Sequence, residues 1–237
     1  SEMCIRDRIK DIPINSKLIK KNDVFFAIKG ENVDGNNYVS EAIKKKSSFA
    51  IVNRLDNNHP LFKQIKVNNT LKFLTICSSI LRENINARII SITGSCGKTT
   101  LKEMIGLILK KISKTSFSPK SFNNKYGVPL SLFNMRQNDD FGVFEIGMDR
   151  KGEINNLSKI IKPDLGVITN ISYAHSKNFK NIKQIADAKA EIINNIKKDG
   201  IIVLNGDDHF CLLYKSPSPR DRQKSRKPSY AWKKKGG

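Results

Sequence analysis

Cysteine is scarce. Cys4, Cys77, Cys96 and Cys211 are the only four in 237 residues, no two form a C-x-x-C pair, and no cluster of the three histidines joins them. That leaves a reduced, cytoplasmic protein as the natural reading. No apolar run approaches the ~18 residues of a membrane helix, so no membrane partner is expected. The N-terminus lacks the charged, apolar, then small-residue order of an export signal. Acidic residues are few: 22 against 43 Lys and Arg, for a net charge of +21. Hydrophobic residues at 38% and charged residues at 27% fit a folded chain with one large or two small cores.

The positive charge invites a nucleic-acid partner. Its distribution argues otherwise. Residues 211–237 carry nine Lys or Arg against Asp221 alone, a local +8, whereas residues 1–8 sum to zero. In 9–210 the lysines are scattered singly or in short runs among Ile and Asn, as on a solvated face, so no nucleic-acid partner is expected. Both ends differ from the body. Residues 211–237 have no helical or strand period and too little apolar surface to offset ordering entropy. Residues 1–8 are equally unlike the body. Both ends read as extraneous, adapter-like sequence, so that the natural protein would be interrupted near 210.

The body alternates strand-like and helix-like segments. Strands are predicted at 23–29, 49–52 and 64–67, with helices at 38–46 and 70–83, giving a small α/β unit over 9–84. A second unit over 85–210 has strands at 88–93, 141–146, 165–169 and 200–205. Its helices include 152–161, 182–196 and one with apolar residues at 101, 104, 105, 108, 109 and 112. Alternation of this kind predicts parallel sheets with helices on their faces.

Chemistry-bearing residues fall at the carboxyl ends of the second unit's strands, where ligands of parallel sheets collect. Thr93-Gly94-Ser95-Cys96-Gly97-Lys98-Thr99-Thr100 joins a strand to a helix. Glycines let backbone N–H groups turn to a phosphate, and the helix N-terminus adds a favourable dipole. Gly94 to Thr100 are therefore candidate phosphate-loop residues, with Lys98 reaching terminal phosphates and the Thr99 hydroxyl ligating Mg²⁺. The longer phosphate-loop pattern would need Gly where Ile92 stands. Cys96 reads as a loop residue, because no base partner accompanies it. Glu145 closes its strand and His175 lies in the loop after the next. Either could ligate Mg²⁺, the oxygen ligand being the more usual, and either could be a solvated surface group. Lys189 sits on the apolar stripe of 182–196. It is read either as snorkelling to water or as turned inward to a site.

These residues together resemble the Mur ligase family. The matching text is ITGSCGKTTLKEM (92–104), SFNNKYGVPLSL (121–132), EIGMDRKGEI (145–154), ITNISYAHSKNF (168–179), DAKAEI (187–192) and LNGDD (204–208), with INSKLIKKNDVFFAIKGENVDG (14–35) ahead of them. SFNNKYGVPLSL is similar to the branch that joins D-alanyl-D-alanine to UDP-N-acetylmuramoyl-tripeptide. The resemblance implies an ATP-dependent amide ligase with Mg²⁺, working through an acyl phosphate. It implies an N-terminal UDP-sugar-binding domain followed by an incomplete P-loop ATPase domain with the C-terminal domain absent. Lys98 and the loop amides would hold ATP. Thr99, Glu145 and His175 would serve Mg²⁺. Lys189 would carry a CO₂-derived carbamate that ligates a second Mg²⁺. Lys98, Lys189 and His175 would form the catalytic set, Asn123 and Asn124 would lie near the muramoyl substrate, and Ser16 near the nucleotide-sugar end. A monomer is expected, and the fragment alone is expected not to turn over. The sequence departs from the family pattern at Cys96, where Asn is frequent, and at Asn15-Ser16-Lys17, where Asp-Ser-Arg is frequent. An Arg-to-Lys change there loses planar, bidentate donors. Two other readings are another ligase of the superfamily, such as a folylpolyglutamate synthetase-like enzyme, and a non-catalytic basic P-loop protein that binds nucleic acid.

Overall fold

Short β-branched and aromatic runs, most of them followed by a helix, fold into two parallel sheets. The computed structural model describes residues 19–30, 33–173 and 178–215. Ser16 and His175 lie outside the described residues. In the first unit β1 (Val24–Phe26), β2 (Phe49–Val52) and β3 (Gln64–Lys66) pair in that order, all parallel. Alternation sends Phe25, Ala50 and Val52 to one face, under Val39 and Ala42 of α1 (Val39–Lys44). Val24, Phe26 and Ile51 go to the other, under Leu74 of α2 (Thr70–Glu83).

That second cluster is shared with the next unit. Leu130, Phe133 and Tyr126 pack into it, and the Phe26 and Phe133 rings meet edge to face at 6.2 Å between centroids. Leu130 and Phe133 belong to a helix absent from the sequence prediction, α4 (Gly127–Phe133). Pro129 falls in its first turn, where a missing N–H costs nothing. Ser78 of α2 donates to the Pro129 carbonyl at 2.7 Å. Arg82, buried at the end of α2, donates to the carbonyls of Ile161, Lys162, Ile85 and Ala87 and to the Asp164 carboxylate. One guanidinium thus fastens the two units together.

The second sheet has β4 (Arg88–Thr93), β5 (Thr115–Phe117), β6 (Phe141–Glu145), β7 (Leu165–Ile168) and β8 (Ile201–Leu204), in spatial order β5-β6-β4-β7-β8 and all parallel. β5 is also absent from the sequence prediction, because three residues give no period to detect. One face is covered by α4, α5 (Glu153–Ile161) and α6 (Ile182–Ala190), around Ile89, Phe144, Ile168, Leu157 and Ile185. The other carries Ile92, Val143 and Val167 under α3 (Lys98–Ile112).

Two expectations are corrected. The helix predicted over 182–196 is α-helical only to Ala190, and Glu191–Asn195 tightens into a 3₁₀ turn. There the Glu191 carboxylate caps α5, accepting from Gly152 N at 2.8 Å and Asn155 N at 3.1 Å. The boundary expected at 210 falls inside a folded segment. Cys211 of α7 (His209–Leu212) is fully buried, and the Tyr214 hydroxyl donates to Asp187 at 2.7 Å. Among the described residues no helix is long and apolar enough to cross a membrane.

Candidate active site

The turn after β4 is built on two glycines in the left-handed half of the backbone map. Gly94 has φ +146°, and a Cβ there would come within 1.9 Å of the Thr169 hydroxyl. Gly97 has φ +79°, caps α3, and faces open space. Only glycine satisfies both the approach at 94 and the turn at 97. The amides of the loop divide into two sets. Ser95 N donates to the Asn170 backbone carbonyl at 2.9 Å, and Cys96 N donates to Asn170 Oδ1 at 2.8 Å. The N–H groups of Lys98, Thr99 and Thr100 open α3 and have no intrahelical acceptor. Lys98 Nζ folds back on the Gly94 and Ser95 carbonyls at 2.9 and 3.2 Å.

Glu145, at the end of β6, is 1% exposed. Its two oxygens have different partners. Oε2 accepts from the Thr99 hydroxyl at 2.7 Å, and Oε1 accepts from Asn123 Nδ2 at 2.7 Å. The reading of Glu145 as a solvated strand end is therefore corrected: the carboxylate joins the phosphate loop to the segment before α4. Asn123 is held further by Gly147, whose N–H donates to the Asn123 carbonyl at 2.7 Å and whose missing Cβ leaves room for the Asn123 amide. Asn124 does a different task. Its Oδ1 caps α4, accepting from Tyr126 N and Gly127 N at 3.1 and 3.0 Å.

Lys189 is 2% exposed, so it does not snorkel. No described residue accepts a hydrogen bond from its amine. Burial, and secondarily the charge of Lys98, push its pKa down to about 8. Gly94, Lys98, Asn123, Asn124, Asp149 and Lys189 line one cleft of about 1120 Å³. The structure thus brings together the phosphate loop, Glu145, the asparagine pair and Lys189.

Three supporting residues carry no functional mark in the sequence reading. Asn170, directly after β7, ties the phosphate loop to the loop that follows that strand. Asp208 accepts from Ile171 N at 2.6 Å and caps α7, fixing the same loop from β8. Both stand at the carboxyl edge of the sheet, which was the available signal. Lys102 is fully buried with its amine on the Ser118 and Lys120 carbonyls, both at 2.6 Å. Nothing in the local pattern marks it.

Comparison with known proteins gives the family and the fold. The Mur ligase middle domain matches residues 92–230, more than half of the chain, and the Mur ligase family catalytic domain matches 8–92. The chain is 37% identical over 199 residues to the UDP-N-acetylmuramoyl-tripeptide–D-alanyl-D-alanine ligase of Rickettsia prowazekii (strain Madrid E), covering 84% of this chain and 44% of that protein. A crystal structure of MurF from Acinetobacter baumannii superposes with a TM-score of 0.79 at 33% identity, over 90% of this chain and 46% of that one. MurF from Thermotoga maritima in complex with ADP gives 0.71 at 31% identity, over 81% and 45%. The chain spans a little under half the length of the relatives it matches.

Proposed function

The chain belongs to the Mur ligase family, and from that premise we propose that it is the nucleotide-binding part of an ATP-dependent ligase joining D-alanyl-D-alanine to UDP-N-acetylmuramoyl-tripeptide. The observation that carries the reading is the linkage Thr99–Glu145–Asn123 with Lys189 in the same cleft. It connects a phosphate loop to a substrate-facing segment and gives a buried lysine a task. A basic nucleic-acid-binding or non-catalytic P-loop protein leaves Lys189 idle.

The residues present fit a magnesium nucleotide. Glu145 and Thr99 offer hard oxygens beside the loop, and the glycine cradle leaves open space above Gly97. Bound there, Mg²⁺ would neutralise developing charge on the phosphoryl oxygens. Lys98 would exchange its two loop carbonyls for terminal phosphate oxygens, and the first-turn amides of α3 would donate to them. Asn123, fixed between Glu145 and Gly147, would orient the muramoyl substrate, with Asn124 at the mouth of the cleft. Ser16 is assigned to the nucleotide-sugar end, and His175 to the metal and catalytic set.

In the reaction, a substrate carboxylate oxygen attacks the γ-phosphorus of ATP and ADP leaves, giving an acyl phosphate. The D-alanyl-D-alanine amine then attacks the acyl carbon, loses a proton, and inorganic phosphate departs as the amide forms. The role of Lys189 would be to react first with CO₂. Its neutral nitrogen bonds to carbon and releases a proton, converting a buried cation into a carbamate anion able to ligate metal. A pKa of about 8 leaves roughly a tenth of the amine neutral at pH 7.

The test is titration of the purified chain with Mg·ADP, alongside ¹³C NMR after addition of ¹³C-bicarbonate. Weak, magnesium-dependent binding, a carbamate carbon signal lost in Lys189→Met, and no ligation by the chain alone are expected. Absence of nucleotide binding together with absence of the signal would sink the reading.

A further inference from the structure

Helix α3 packs Leu101, Ile105 and Leu109 on the core, yet it is rolled away from its most apolar direction. Its most apolar direction runs through Leu101, Met104, Ile105, Ile108 and Ile112. Yet Met104, Ile108 and Ile112 are exposed, while Lys102 and Gly106 are buried. At 100° per residue, the buried face is rolled roughly a quarter turn from the apolar one. Burying a lysine in place of two available apolar side chains runs against the usual rule for helix faces. Gly106 permits the roll, because a Cβ there would meet the Phe117 ring at 2.7 Å.

What the roll achieves is visible at the lysine head. Lys102 Nζ donates to the Ser118 and Lys120 carbonyls, both at 2.6 Å, and pairs with Glu103 at 2.8 Å, so all three of its protons have acceptors. The two carbonyls converge because the backbone turns at Lys120, a non-glycine residue at φ +48°. A long side chain rarely adopts that conformation, and converging carbonyl dipoles repel unless a cation lies between them. Immediately after this turn, Ser121 Oγ comes within 3.4 Å of the Thr99 hydroxyl, and Asn123 reaches Glu145.

We propose that Lys102 is a positioning residue. Its charge holds the turn at Lys120, and the turn sets Asn123 against Glu145 and Gly147, so that the substrate-facing segment stays in register with the phosphate loop one helical turn away. The inference rests on the proposed ligase reading of the cleft. Lys102 itself touches neither ligand.

The experiment compares Lys102→Met, Lys120→Gly and the double variant in the full chain by amide hydrogen exchange and ligand titration. In Lys102→Met, exchange at Asn123 and Gly147 should rise at least tenfold while Ser95 and Leu101 stay within threefold of wild type. Glycine accepts the backbone angle at 120 without a cation, so Lys120→Gly should recover most of the lost protection, and should change the wild-type chain less than twofold. If Lys102→Met does not fold, restored folding in the double variant supports the proposal, and failure to restore it overturns it. Unchanged exchange at Asn123 and Gly147, or strictly additive effects of the two substitutions, overturns it as well. In the titrations, affinity for UDP-N-acetylmuramoyl-tripeptide should fall tenfold while that for Mg·ADP stays within threefold. A wild-type chain that binds neither ligand counts against the reading of the cleft, and the exchange rates then still decide the role of Lys102.

Discussion

Two helices of the second sheet each bury a lysine, and they do so in opposite ways. Lys102 on α3 is enclosed with a carboxylate and two carbonyls around its amine. Lys189 on α6 is enclosed with no described acceptor and with the Lys98 charge nearby. A buried cation whose protons are all satisfied is a fixed strut. One whose amine meets no acceptor among the described residues is destabilised as a cation by burial and is therefore open to losing a proton and reacting. On the proposed readings, the same residue type at the same burial acquires a mechanical task in one place and a chemical one in the other. The difference lies in what the facing backbone offers.

That comparison can be broken by substitution. Lys102→Met should have the largest effect, a loss of about 2–4 kcal/mol, because the buried Ser118 carbonyl and the partly buried Lys120 carbonyl lose their donor. Urea unfolding would measure it, and a neutral result would mean that the carbonyls reach water. Lys189→Met should act in the opposite direction. It removes a charge that burial disfavours and should stabilise the chain by about 1–3 kcal/mol at pH 7. Destabilisation there would show that the amine has a partner.

A pH series sharpens the same point. The folded pKa of Lys189 is lowered from 10.5 to about 8, so between those values the unfolded chain binds more protons than the folded one. Stability from this group should therefore rise with pH from about 8 to about 10.5 and be flat below that window. The rise should vanish in Lys189→Met and persist in Lys102→Met. The smallest effect is expected at the chain's end. Deleting 216–237 should change stability by less than about 0.5 kcal/mol. Deleting 209–237 should cost more, since it removes the buried Cys211 and the Tyr214–Asp187 hydrogen bond.

Much of the second sheet is legible in the chain. The strands at 88–93, 141–146 and 165–169 recur almost residue for residue, because fully buried parallel strands are continuous apolar runs. The loop Gly94–Thr100 is legible because its glycines are required by backbone angle. Lys189 stands out because a charge on an apolar stripe is a visible contradiction. Lys102 is invisible for the converse reason. It lies beside the apolar stripe of its helix, where a solvated lysine is the ordinary expectation, and only the roll of α3 carries it inside. β5 and α4 escape because one is too short to show a period and the other carries Pro129 and Gly127. Cys211 and Tyr214 escape because the strongly basic, apolar-poor composition of 216–237 outweighs the five residues before it.

By itself the sequence determined most of where the chain runs extended or helical, β5, α4 and the turn at 191–195 excepted, where glycine must stand, and which polar groups gather at the carboxyl edge of the sheet. These follow from local sterics and from the period of burial. The tertiary structure alone decided which buried lysine meets acceptors among the described residues and which meets none there, which oxygen of Glu145 faces Thr99 and which faces Asn123, and that Arg82 fastens the two units. Such outcomes depend on backbone carbonyls and carboxylates brought together from residues far apart in the chain, and no local pattern encodes their meeting.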